Sequence, residues 1–134
     1  MERLEVTFDG QSFYADLLPD KAPKVIEALR EKGEFESFLV YAKICDHELT
    51  WTTPVYVDEC ENPVWDETPG NVIYYPPNQA ICIFYGASPS VAECSKFAQM
   101  PKDELERMVP SADKAWAGQG MRIVTRIVDD GRGE

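Results

Sequence analysis

The chain has one histidine, His47, and four cysteines, Cys45, Cys60, Cys82 and Cys94. Cys45-Asp46-His47 is the one short ligand-like spacing. No two cysteines are spaced as a CxxC pair, from which zinc sites ordinarily start. No metal site is assigned. Asp58, Glu59, Glu61, Asp66 and Glu67 crowd one stretch, a composition suited to a hard cation, but their spacing matches no calcium loop. They read as a solvated acidic loop. No nucleophile elbow, Gly-rich phosphate loop or Ser/His/Asp arrangement is legible, so no residue receives a catalytic role and no cofactor is implied. What remains is a set of aromatic and polar side chains. Tyr41 and Lys43 fall on one face of a strand, with His47 at the adjacent turn. Tyr74, Tyr75, Gln79, Phe84 and Tyr85 fall on one hairpin, and Trp65 lies in the acidic loop as a lid or a partner contact. Aromatic faces for stacking, with Lys43 and His47 for charge, suit a planar or carboxylated small molecule. The competing reading of the same residues is core packing with tyrosine hydroxyls at the surface.

The elements that must position these residues follow from periodicity. Leu4-Glu5-Val6-Thr7-Phe8 alternates as a half-buried strand, Asp9-Gly10 is a hairpin turn, and Gln11 to Leu18 returns as a second strand. Asp20 as N-cap, Pro23 in the first turn and Gly33 at the end predict a helix over about residues 21–32. Residues 35–44 predict a strand with Phe38, Val40, Ala42 and Ile44 on one face and Leu39, Tyr41 and Lys43 on the other. Short strands follow through Leu49 and Trp51 and over residues 54–57, then an irregular loop over 58–71. Val72–Tyr75 and Ala80–Tyr85 make a hairpin around Pro76-Pro77-Asn78, with Cys82 read as a small buried hydrophobe. Lys96–Gln99 predicts a short strand. Pro101 opens a helix that Pro110 interrupts, Ser111 caps a continuation ended by Gly118, and Met121–Val128 is a last strand. Residues 129–134 read as a loose tail. Seven or eight short strands with two helices predict a mostly β, closed antiparallel barrel whose ends the helices cover.

Composition bounds the function classes. The 134 residues suit one domain. Thirteen basic and 24 acidic residues leave a net charge of −11, the opposite of what phosphate neutralisation requires. Nucleic acid and anionic membrane surfaces are excluded as partners on that ground. No apolar run is long enough to span a membrane, and Met1-Glu2-Arg3-Leu4-Glu5 has no apolar leader character. The expectation is a cytoplasmic protein with free thiols.

Two stretches resemble a known family. Leu17-Leu18-Pro19-Asp20-Lys21-Ala22-Pro23-Lys24-Val25-Ile26 resembles the strand-to-helix start of cyclophilins. Three further segments resemble the small bacterial and archaeal cyclophilin-like proteins of unknown function. They are Thr53-Pro54-Val55-Tyr56-Val57, Glu61-Asn62-Pro63, and the run from Gly70-Asn71-Val72 through Tyr85-Gly86. The resemblance covers about residues 3–128 and implies an eight-stranded barrel capped by two helices.

Cyclophilins accelerate rotation about prolyl bonds against a resonance barrier of roughly 18–20 kcal/mol. That chemistry needs a donor near the prolyl nitrogen, in the family an arginine. The matching stretch here, Phe38 to Cys45, contains no arginine, and Ile81 stands where the proline pocket has phenylalanine. Lys43 is not equivalent to arginine at a shaped site. The sequence therefore predicts a barrel that binds a small molecule or peptide without the usual isomerase residues. Three alternatives stay open. They are a divergent isomerase using Lys43 or Gln79, a hydrolase-related domain in which His47 meets Cys45 or Cys60, and an interaction domain or homo-oligomer assembling through an edge or Trp65.

Overall fold

The computed structural model describes residues 1–41, 47–64, 68–86, 94–118 and 120–129. Its strands are β1 (Glu2–Phe8), β2 (Gln11–Leu17), β3 (Phe35–Phe38), β4 (Val40–Tyr41), β5 (Glu48–Thr52), β6 (Pro63–Val64), β7 (Asn71–Tyr75), β8 (Ala80–Phe84), β9 (Cys94–Gln99) and β10 (Arg122–Asp129). Its helices are α1 (Pro23–Lys32) and α2 (Lys102–Gly118). The strands run in the order β3-β10-β1-β2-β9-β7-β8-β5-β4, with β6 pairing the remaining part of β9. β3 and β4 are consecutive pieces of one stretch, so the sheet curls into a nearly closed eight-stranded antiparallel barrel with one unsealed seam. The seam falls at Leu39. Before it the chain pairs with β10; after it the chain pairs with β5. Leu39 turns fully inward, while Phe38 and Val40 stay exposed.

The first hairpin forms as the sequence predicts. Asp9 and Gly10 both take positive φ (54° and 70°), the conformation a two-residue turn between twisted strands requires. The inward faces of the strands and the apolar stripes of both helices make one core. Phe8, Phe13, Trp51, Tyr74 and Phe97 are its largest fully buried members, joined by Val25, Ile26 and Leu29 of α1 and Met108, Ala112 and Ala115 of α2. Trp51 donates from Nε1 to Thr125 Oγ1 at 3.0 Å, tying β5 to β10 through the interior. The middle of the barrel is therefore filled by packed side chains.

Four predicted details differ. Helix α1 starts at Pro23, and Asp20 does not cap it; the N-cap position is Ala22, whose side chain has nothing to offer. Glu61 does that work from a distant loop, its carboxylate accepting from the backbone N–H of Lys24 (3.1 Å) and Val25 (3.0 Å). Residues 54–57 are not a strand, because side chains hold their backbone groups instead of a ladder. Loop 58–71 is not wholly irregular, since Pro63–Val64 pairs with β9. Pro110 does not divide α2, which runs unbroken through it. Pro110 is exposed, and Met108 and Ser111 on either side are buried against the barrel, so tertiary packing carries the helix across the missing hydrogen bond. Among the described residues no helix is long and apolar enough to cross a membrane.

Candidate functional site

Period-two alternation sends neighbouring residues of a strand to opposite faces. It divides the predicted aromatic set. Tyr74 and Tyr85 join the barrel core, whereas Tyr75 and Phe84 belong to a second apolar cluster on the outward face. The Tyr74 hydroxyl donates to the Val55 carbonyl (2.9 Å) and accepts from the Val57 N–H (3.2 Å). Burial pushes its pKa up. Gln79 takes a left-handed conformation (φ 47°) after the Pro76–Asn78 turn, its side-chain amide 3.4 Å from the carbonyls of Thr53 and Val55. Tyr74 and Gln79 therefore pin the 53–57 loop.

His47 sits at the other end of the same strands. Its carbonyl accepts from Tyr85 N–H at 3.0 Å, and its exposed ring meets the Tyr85 ring edge-on, centroids 5.5 Å apart at 83°. Gly86 makes room for that ring: a Cβ there would lie 2.9 Å from His47 Cγ. Gln79 and Tyr85 flank β8 at its two ends, six positions apart, or about 20 Å at the rise of a strand. Among the described residues, Gln79 and His47 thus mark two ends of one sheet. The backbone of Tyr41 lies in β4. The Tyr41 side chain, Lys43, Trp65, Cys45 and Asp46 lie outside the described residues.

Between the two ends the outward side of the same strands is buried as well, and it holds Tyr75 and Phe84 together with Cys82, which is the buried hydrophobe the sequence predicts. Ile73, Ala80, Cys82 and Phe84 form a buried apolar cluster separate from the core, with Val64 and Tyr75 packed on it. The strand registers place Thr50, Cys82 and Ile73 in one row across β5, β8 and β7, and Thr52, Ala80 and Tyr75 in the next. Glu48 stands opposite Phe84 at the His47 end. Thr50 Oγ1 and Cys82 Sγ are 3.2 Å apart. A signal for this floor was present. Ala80-Ile81-Cys82-Ile83-Phe84 is apolar without alternation, as a strand covered on both faces must be.

The acidic loop has mechanical duties. Besides the Glu61 cap, Glu59 pairs with Lys24. The hydrogen bond that the Lys24 ammonium donates to the Glu59 carboxylate holds its pKa above the ordinary value. Asp66 and Glu67 lie outside the described residues, and among those described no group of three His, Cys, Asp or Glu is placed to hold a metal. Cys60 is exposed in this loop. Each described arginine is in an ion pair: Arg3 with Asp16, Arg30 with Glu2 and Glu27, Arg107 with Glu104, Arg122 with Glu36, and Arg126 with Glu5. None belongs to β5, β7 or β8.

The profile of the family described as cyclophilin-like matches residues 2–112. No match is found among curated proteins. The structure of McbB in complex with tryptophan superposes with a TM-score of 0.81 at 14% identity, over 100% of this chain and 46% of McbB. The chain thus spans less than half the length of that protein. The solution structure of the hypothetical protein AF2241 from Archaeoglobus fulgidus superposes with a TM-score of 0.68 at 22% identity, over 92% of each chain. At these identities the likeness is one of fold.

Proposed function

We propose that this chain, which belongs to the cyclophilin-like family, binds a small organic ligand on the outward face of β5, β8 and β7 and does not isomerise prolyl bonds. The observation that carries the reading is the second apolar cluster. A barrel wall ordinarily turns polar side chains outward, yet Ile73, Ala80, Cys82 and Phe84 are buried there, apart from the core. Among the described residues, Trp51, Tyr74 and Phe97 pack the interior. The floor combines an apolar body with few polar groups (Thr50, Glu48, Tyr75), the ordinary makeup of a small-ligand site. His47 stands at its margin.

The isomerase alternative has less support. It needs a donor aimed at a prolyl nitrogen, and the described arginines are engaged on other strands and helices. Gln79 directs its amide at the 53–55 loop. A hydrolase reading rests on fold analogy alone.

A thermal-shift screen of small aromatic compounds tests the proposal, since a ligand of the folded state raises the melting temperature by mass action. We expect stabilising compounds whose affinity falls about tenfold in Phe84→Leu, which keeps the bulk and removes the ring. Proline-containing peptides should isomerise at their uncatalysed rate in the presence of the protein. Stabilising compounds indifferent to Phe84→Leu, or an accelerated isomerisation, would contradict the reading.

A further inference from the structure

The outer floor is a covered surface. Ile73, Ala80, Cys82 and Phe84 are each between 2% and 5% exposed, so a ligand reaches them only where a covering segment moves aside. Among the described residues Val64 and Tyr75 pack on this cluster. Tyr75 belongs to β7 itself, whereas Val64 ends a segment, residues 58–64, whose strand β6 lies off the main strand order. Toward α1, the Glu61 carboxylate accepts from the N–H groups of Lys24 and Val25, and Glu59 pairs with Lys24. Toward β9, the Glu61 N–H donates to Ser95 Oγ (2.8 Å) and the Asn62 side-chain amide donates to the Lys96 carbonyl (3.0 Å). The Lys96 N–H donates back to the Asn62 carbonyl (3.2 Å). Pro63–Val64 adds a ladder of two residues, and its proline has no N–H to give. No side chain from 58 to 63 joins either apolar cluster, and Asp58, Glu59, Cys60 and Pro63 are exposed. Polar contacts near solvent with little apolar burial mark a segment that opens more readily than the whole molecule unfolds.

We propose that residues 58–64 are a strap whose release uncovers the outer floor, and that α1 is its catch, engaged through Glu61 and Glu59. The inference rests on the ligand-binding reading above and names how that site is regulated. Binding follows opening, so the strap sets both the rate of association and the apparent affinity. Glu61 has two duties in one contact: it caps α1 and holds the strap down. Its own N–H ties the same residue to β9. Val64, three positions on, then rests on the floor.

Cys82 reports the opening, because its thiol is buried in the floor. Cys60 is exposed on the strap itself and is replaced by serine throughout, so that the reagent leaves the strap unaltered. Iodoacetamide labelling of Cys82 is followed by peptide mass spectrometry, without urea and in low urea. The proteins are Cys60→Ser alone and Cys60→Ser combined with Glu61→Ala, Val64→Ala, Glu59→Gln or Asp20→Ala. At low reagent concentration the rate reports the open population. Strap release exposes little surface, so the rate should be nearly flat in low urea, where global unfolding rises steeply. Without urea it should rise about tenfold in Glu61→Ala and about fivefold in Val64→Ala. Glu59→Gln, which removes an exposed pair, should give about twofold and keeps the test open if Glu61→Ala does not fold. Asp20→Ala, exposed before the same helix, should change nothing. A Cys82 rate that climbs with urea as steeply as global unfolding in every protein would overturn the inference. A rate without urea that ignores both Glu61→Ala and Val64→Ala would overturn it too. The thermal-shift screen judges the ligand-binding reading separately. Strap release with no stabilising compound would remove that reading and leave the strap. Stabilising compounds that depend on Phe84, with Cys82 labelled only by global unfolding, would remove the strap alone.

Discussion

Tyr74 illustrates how a residue that looks available for chemistry becomes part of the frame. Its hydroxyl bridges the Val55 carbonyl and the Val57 N–H, so Tyr74→Phe removes the hydroxyl that the half-buried Val57 N–H donates to and one of several donors to the Val55 carbonyl. The expected loss is about 1–3 kcal/mol in urea denaturation. The pH dependence has a definite sign. Burial raises the folded pKa of Tyr74, so its contribution is fully present below the unfolded value near 10.0 and is lost as pH rises through the folded value. Wild-type stability should therefore fall above about pH 10, and less steeply in Tyr74→Phe. The residue types at this end of the sheet were legible in the sequence, but their partners were not. Alternation separates Phe84 from Tyr85 once the strand is known; only the register assigns Tyr85 inward and Phe84 to the outer floor. Glu48 gave no sign in the sequence, because a lone glutamate at a strand start reads as solvated.

At the scale of elements, long-range contacts replace local signals. The Asp9-Gly10 hairpin, both helices and most strands were readable, since their cues are local: turn residues, apolar period and proline placement. The cap of α1 was not. Asp20 is the expected local cap, yet Glu61 holds the N–H groups of Lys24 and Val25 from 36 or more positions away. Glu61→Ala should cost about 0.5–2 kcal/mol, whereas Asp20→Ala should stay within about 0.5 kcal/mol. Matched denaturant titrations of the two variants decide between the caps. Pro110 is the second case. A proline inside a helix costs about 3 kcal/mol relative to alanine, offset by up to about 1 kcal/mol from its stiffer unfolded chain. Pro110→Ala should thus stabilise the protein by about 2 kcal/mol. A destabilised variant would show that α2 does not run through this position as an unbroken helix.

For the molecule as a whole, the barrel closes by letting one stretch change partners at Leu39, from β10 to β5. The sequence marked residues 35–44 as one strand and so concealed the seam; a change of partner has no local signature when apolar alternation continues through it. The packed interior then moves the question of function outward, to a wall whose strands β7 and β8 are largely buried on both faces. The central claim is that this outer floor is where a ligand sits. Chemical-shift mapping with assigned amides, during titration with the most stabilising aromatic compound of the thermal-shift screen, tests it most directly. The account predicts saturable shifts concentrated at Glu48, Thr50, Ile73, Cys82 and Phe84, with little change along β1, β2 and β10. Shifts concentrated on those three strands, or none at any concentration reached, would contradict it.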